Sequence, residues 1–245
     1  HEYIKVFRGL KSESDTEIVK TSHLWMDTNL GIPSFRFVRV RCSFVKKISA
    51  LDRLLLLITG LIAAYQVVAG MDTCCVAVTI YYTIAFGILV ITGLLLIIFG
   101  FEILDNATVV VAAALLPLSL SSGLIYRYLP NLHMVYLIFA VVGFLLILFT
   151  RYYIKGRIAT IILAIVHGIA GMVIFILPIS LSIKGVSTPL FSFVGIGGAL
   201  IGVGGLLLAF LKAGKPILSK ELIYSVLPGL LLVMTIAFVV GMAAE

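Results

Sequence analysis

The chain has 245 residues, of which 62% are hydrophobic and 12% charged, with a mean hydropathy of +1.22. A soluble domain is about one quarter charged, so half the groups that would cover a water-facing surface are missing, which excludes an ordinary soluble globular fold. Lys and Arg outnumber Asp and Glu by 18 to 11, a net charge of +7, but the basic residues gather at the N-terminus and in alternate loops, the pattern of a membrane protein rather than of a nucleic-acid groove.

Residues 1–50 are the only polar segment and divide the chain into a cytoplasmic N-terminal segment and a membrane bundle over 51–245. The segment holds the sole tryptophan, Trp25, and turns strongly basic with Arg36, Arg39, Arg41, Lys46, Lys47 and Arg53 against Asp52 alone. Phe35, Phe37, Val38, Val40, Phe44 and Val45 interleave with these bases. Such a stretch can lie on an anionic membrane face with its apolar groups among the headgroups. A small folded cap or a partner-docking segment fits equally, and periodicity does not separate strand from helix here. The segment is too polar for a cleavable leader, so the first apolar run is expected to act as the signal anchor.

Seven apolar runs follow: Leu51–Gly70, Cys74–Phe101, Ala107–Tyr126, Met134–Thr150, Ile158–Ser180, Pro189–Leu211 and Leu222–Met242. A helix needs about 20 apolar residues to cross a hydrocarbon core of roughly 30 Å. The expected fold is therefore all-α, a polytopic bundle of seven transmembrane helices. The second run exceeds the required length and should tilt or protrude.

Loop charges set the expected orientation. With the N-terminus inside, the inner face receives the basic segment, then Arg151, Lys155 and Arg157, then Lys212, Lys215 and Lys220, while the outer face receives Arg127 and Lys184. The positive-inside rule asks for this asymmetry, and the plasma membrane is the expected location. Glu102 and Asp105 sit in an inner loop without a base, but acidic residues weigh little in the rule. Asn106-Ala107-Thr108 fits a glycosylation acceptor, yet this topology places it inside, where it would not be modified.

The apolar runs repeat themselves. Gly87 to Leu96 in run two and Gly198 to Leu207 in run six both read G-x-L-x-x-x-G, and Gly60 has a counterpart in Gly168. Runs one and five enter the membrane in the same direction, so the repeat would be a parallel duplication. Gly198 and Gly202 lie one turn apart on run six, and Gly168 and Gly171 on run five. Glycines at such spacing let helices approach closely in lipid, within the bundle or at a dimer face. These hairpins, together with Gly168-Ile169-Ala170-Gly171-Met172-Val173-Ile174-Phe175-Ile176-Leu177-Pro178, resemble the repeated hairpins of the HdeD-like membrane proteins. The resemblance covers runs one, two, five and six. It implies a small multi-helix membrane protein linked to acid stress, with no catalytic residue to carry over. The basic N-terminal segment and the seventh run depart from that family's six-span pattern.

Ionisable and polar groups within the runs are costly and mark the candidate site. His167 lies near mid-membrane. Tyr81 and Tyr82 sit too deep in run two for an interfacial belt, and Ser119, Ser121 and Ser122 follow Pro117 in run three. Pro117, Pro178 and Pro228 free carbonyls that need partners, which the serines after Pro117 can supply in part. His167 reads either as a neutral imidazole bonded to a serine or carbonyl on a neighbouring helix, or as a transport or ligand group. A haem between two histidines is disfavoured, because His133 is offset from it by roughly 13 Å along the membrane normal.

No H-E-x-x-H, Walker loop or G-x-S-x-G occurs, and no carboxylate pair lies deep in a run. Lys220 is at a membrane edge, not at the depth of a retinal Schiff base. Cys42, Cys74 and Cys75 form no metal or disulfide pattern. No catalytic residue, metal or cofactor is assigned. The expected partners are the lipid bilayer and other membrane subunits or a second copy of the chain, with no nucleic acid. Three functions remain open: a non-catalytic subunit or scaffold in a membrane assembly, a small-solute or ion transporter with a polar cavity near Tyr82, Ser122 and His167, and a membrane-embedded redox subunit.

Overall fold

The computed structural model describes residues 6–7, 21–22 and 48–245 apart from 71–74, 155, 213–217 and 245, and gives only the backbone at 6, 7, 21, 22, 157, 209, 210 and 212. The chain divides into two units, residues 1–45 and 46–245. In the first, β1 (Val6–Phe7) pairs antiparallel with β2 (Thr21–Ser22). Arg36, Arg39, Arg41, Lys46 and Lys47 lie outside the described residues.

The second unit holds seven helices: α1 (Ala50–Ala69), α2 (Val76–Phe99), α3 (Ala107–Tyr128), α4 (Pro130–Phe149), α5 (Gly156–Ile183), α6 (Ser192–Lys212) and α7 (Lys220–Ala243). All seven are long and apolar enough to cross a bilayer, so the protein is an all-α, polytopic integral membrane protein. The ends follow from local chemistry. Ser49 caps α1 by accepting from the Asp52 amide at 3.0 Å, and the Asp52 carboxylate accepts from the Ser49 amide at 3.0 Å, a reciprocal capping box. Asn106 accepts from the Thr108 amide to open α3, which commits the amide oxygen of the apparent glycosylation asparagine to a cap. Gly100, at φ +79°, stops α2 before a 3-10 turn over Phe101–Asp105. Run four was expected to begin at Met134. The helix begins four residues earlier, because Pro130 suits the first position of a helix, where its missing N–H is not needed.

Consecutive helices pack antiparallel. The pairings close a ring in the order α1, α2, α3, α5, α6, α7, and α4 lies outside it against α3 and α5. Exchanging α1 with α5, α2 with α6 and α3 with α7 maps every neighbour in the ring onto another. That permutation is the topology a parallel duplication of three helices would leave, with α4 as the connector. Pro117 of α3 and Pro228 of α7 stand at the same sequence offset as Gly87 and Gly198. These third helices of each half are also the most enclosed: 67% of the α3 span and 44% of the α7 span are buried, against 17% for α4 and for α5.

Three apolar clusters hold the bundle. Leu56, Leu96, Phe101, Ile223 and Leu227 fill the near end, where α1, α3, α5 and α7 begin. Tyr82, Phe86, Leu120, Leu124, Val194 and Phe238 fill the far half of the ring. Val111, Ala114, Ala140, Ile147, Val166 and Ala170 fasten α4 to α3 and α5. Lipid tails are as apolar as these side chains, so the helices gain from close packing rather than from leaving water. Glycine supplies the close approach where it is needed. A Cβ on Gly241 would lie 2.7 Å from the backbone nitrogen of Val194, and one on Gly195 2.7 Å from the carbonyl oxygen of Phe175.

Candidate functional site

Leu129 alone separates α3 from α4. So tight a turn sets residues at nearly equal distances from it face to face. Tyr126 and His133 meet edge to face with ring centroids 4.5 Å apart. Further from the turn the Tyr136 hydroxyl donates to Ser121 Oγ at 2.7 Å. α2 adds Tyr81, whose hydroxyl lies 3.2 Å from His133 Nε2 and whose ring stands 6.5 Å from that of Tyr126. An imidazole and two phenols from three helices therefore share one place at the far end. From sequence alone His133 enters only as a haem ligand and Tyr126 is not singled out. The usable signal was the short α3–α4 turn, which fixes the register of the hairpin.

The remaining candidates on α2 and α3 are Tyr82 and three serines. Tyr82 lies within the apolar cluster of the ring, and a Cβ on Gly123 would sit 2.6 Å from its ring. Ser119 donates to the carbonyl of Leu115 at 2.5 Å, Ser121 to that of Pro117 at 2.5 Å, and Ser122 to that of Leu118 at 2.7 Å. Each hydroxyl thus returns to its own helix four residues back, which satisfies it without a partner helix. None of these bonds reaches Ala113, whose carbonyl Pro117 leaves without its usual donor, so the expected compensation is not made by the serines.

His167 is half-buried on α5, and its Nδ1 is enclosed with no hydrogen-bond partner among the described residues. The expected bond from that nitrogen to a serine or carbonyl is absent, and His167 is not joined to Tyr82 or Ser122 through it. Arg151 has a similarly enclosed Nε, at the π-turn Thr150–Ile154 that ends α4. At the ring centre Ala85, Phe86, Leu89, Leu116, Leu120 and Phe238 surround a cavity of about 10 Å³. That is at the lower limit for one water, and the lining is wholly apolar, so nothing would hold the water there.

The four glycines expected to pack helices divide. A Cβ on Gly198 would lie 3.0 Å from the backbone nitrogen of Phe175 on α5, whereas on Gly168, Gly171 and Gly202 it would meet nothing within 4 Å among the described residues. Gly198 makes an α5–α6 contact, and at the other three an added Cβ would stay clear of the described helices. The reason is register: α5 and α6 cross at Gly195 and Gly198, and the three open glycines lie towards the near end from that crossing.

At the near end Phe101 and Tyr224 stack with centroids 5.0 Å apart, which joins the last helix to the α2–α3 connection, and within α7 the Lys220 ammonium lies 5.5 Å from the Tyr224 ring. Among the described residues no three His, Cys, Asp or Glu side chains group as metal ligands. The arrangement offers hydrogen bonding and packing, with one imidazole–phenol contact, Tyr81 to His133. No protein-family model, curated protein or solved structure matches this chain.

Proposed function

We propose that the protein is a non-catalytic subunit of a larger membrane assembly, and that α6 receives a partner helix on the face carrying Gly202 and Gly205. The observation behind this reading is the division of the α6 glycines. Gly195, Gly197, Gly198 and Gly204 each face a neighbouring helix closely enough that a Cβ would touch it, but a Cβ on Gly202 or Gly205 would meet nothing within 4 Å among the described residues. A helical glycine costs about 1 kcal/mol relative to alanine, and no described helix of the bundle needs the space that these two leave open. A partner backbone in close contact would make use of them. The assembly sits in the plasma membrane with the N-terminus in the cytoplasm, a reading supported by the bases that precede α1, α5 and α7.

The test is gentle solubilisation of the wild type and of Gly202→Ile from the native membrane. The wild type should elute as a complex, with itself or another subunit, and the variant should lose that complex while keeping its own thermal midpoint. A wild-type monomer in every mild detergent, or a complex indifferent to Gly202→Ile, would sink the reading. Labelling of single cysteines at 155 and 215 from one side of the membrane, and at 184 from the other, tests the orientation.

One observation favours a second reading, a small-solute or ion transporter: the unpartnered Nδ1 of His167 within a span. It requires proton or cation flux in proteoliposomes that His167→Phe abolishes.

A further inference from the structure

From Ala164 onward α5 borders a groove of about 730 Å³ that opens sideways from the bundle. This is within the range of about 300–1,000 Å³ typical of small-molecule sites. Its floor includes Ile125 of α3 and the connecting Leu129, and its wall is one face of α5 running from Ala164 through Gly168, Met172 and Ile176 to Ser180, with Lys184 just beyond the helix end. From Ala164 to Ser180 the face extends about 24 Å at the helical rise, more than the ~15 Å depth of one leaflet. The wall is apolar over that length, with small residues at Ala164 and Gly168 deepening it. Its polar groups, Ser180 and Lys184, stand together at the far end.

We infer that this groove holds one phospholipid with an anionic headgroup, its acyl chain along Ile176, Met172 and Gly168 and its phosphate beside Lys184. Charge and depth decide between occupants. A partner helix needs an apolar wall along its whole length, and here a cation and a hydroxyl close one end. A lipid divides in the same way, with a charged group at the interface and hydrocarbon beneath it. Lys184 can lay its stem on the apolar wall and raise its ammonium to headgroup level. Among the described residues no carboxylate stands at the far end to neutralise it, and a single lysine at an anionic surface favours binding by about fivefold. The groove lies on α5 and α3, away from the α6 face discussed above, so either reading can fail alone.

The experiment is native mass spectrometry of the full chain exchanged into detergent with equal phosphatidylglycerol and phosphatidylcholine. The wild type should retain one phosphatidylglycerol about fivefold over phosphatidylcholine. Lys184→Gln should bring that ratio towards one, and Lys184→Arg should restore it. Gly168→Leu fills the groove where a Cβ meets no neighbour within 4 Å, and should lower retention of both lipids several-fold with the thermal midpoint unchanged. The inference is overturned if the wild type retains neither lipid, if Lys184→Gln keeps the preference, if Gly168→Leu folds and still retains lipid, or if a protein partner occupies this face instead. Should Gly168→Leu fail to fold, the Lys184 pair decides alone.

Discussion

The Tyr136 hydroxyl donates to Ser121 Oγ at 2.7 Å, while Ser121 donates onward to the carbonyl of Pro117 at 2.5 Å. The bond joins α4, the helix outside the ring, to its most buried member, and the two residues are unequal in what their loss leaves behind. Tyr136→Phe removes a donor, and Ser121 keeps its carbonyl. An interhelical hydrogen bond in a membrane averages about 0.6 kcal/mol, and the loss should be of that order. Ser121→Ala instead leaves the phenol without its acceptor in an apolar setting, which costs about 1–3 kcal/mol. Unfolding in mixed micelles should rank Ser121→Ala as the more destabilising, with the double variant close to Tyr136→Phe. The reverse order would show that Tyr136 finds another acceptor.

Two glycines on neighbouring helices should respond to alanine with opposite sign. At Gly195 the new Cβ would lie 2.7 Å from the Phe175 carbonyl oxygen and 2.6 Å from Ile179 Cγ1. Backbone cannot swing aside, so α5 and α6 must separate, at about 1–3 kcal/mol. At Gly168 the new Cβ meets nothing within 4 Å among the described residues, and the helix gains up to about 1 kcal/mol of propensity. Thermal midpoints in a single detergent should therefore fall for Gly195→Ala and hold or rise for Gly168→Ala. Equal losses at both would mean that the α5 face is packed in solution.

The fold was legible because a bilayer imposes a length and a composition on every span. All seven runs became helices, and the largest boundary error, at Pro130, came from reading hydropathy without the proline rule for a first turn. The site was less legible for two reasons. Position along a span can be read from the sequence, and Tyr81 lies within α2, His167 within α5 and His133 in the first turn of α4. The direction a residue faces depends on which helices are neighbours, and the ring order with α4 outside is not written in any one span. Gly168 and Gly202 therefore looked like packing residues from their spacing alone, and Ser122 looked like a cavity wall when its hydroxyl serves its own helix. The hairpin register around Leu129 was the one piece of tertiary information in plain view, and it places both Tyr126–His133 and Ser121–Tyr136.

Tyr81 and His133 should be energetically coupled across α2 and α4. The hydroxyl and Nε2 are 3.2 Å apart, and the rings are also in contact at 6.2 Å between centroids. Tyr81→Phe and His133→Phe each delete the polar bond but keep an aromatic ring. A double-variant cycle should give a coupling of about 0.5–1.5 kcal/mol. Tyr126→Leu should weaken the same coupling, because Tyr126 stands edge to face with the imidazole and fixes its plane. A coupling near zero would mean that the aromatic packing alone holds this end together.

The start of α1 depends on two side chains acting on each other's backbone. Ser49 Oγ accepts from the Asp52 amide, and Asp52 accepts from the Ser49 amide, each at 3.0 Å. The first amides of a helix have no partner within it, and at a membrane edge water can serve them only in part. A carboxylate at this position also favours the positive end of the helix dipole. Ser49→Ala should cost about 1 kcal/mol, and the loss should be local, with faster hydrogen exchange at the amides of residues 50–53 and unchanged protection in α3. Ser49→Thr retains the hydroxyl and should restore both. If Ser49→Ala left first-turn exchange unchanged, water would be serving those amides and the capping box would contribute nothing to the placement of α1.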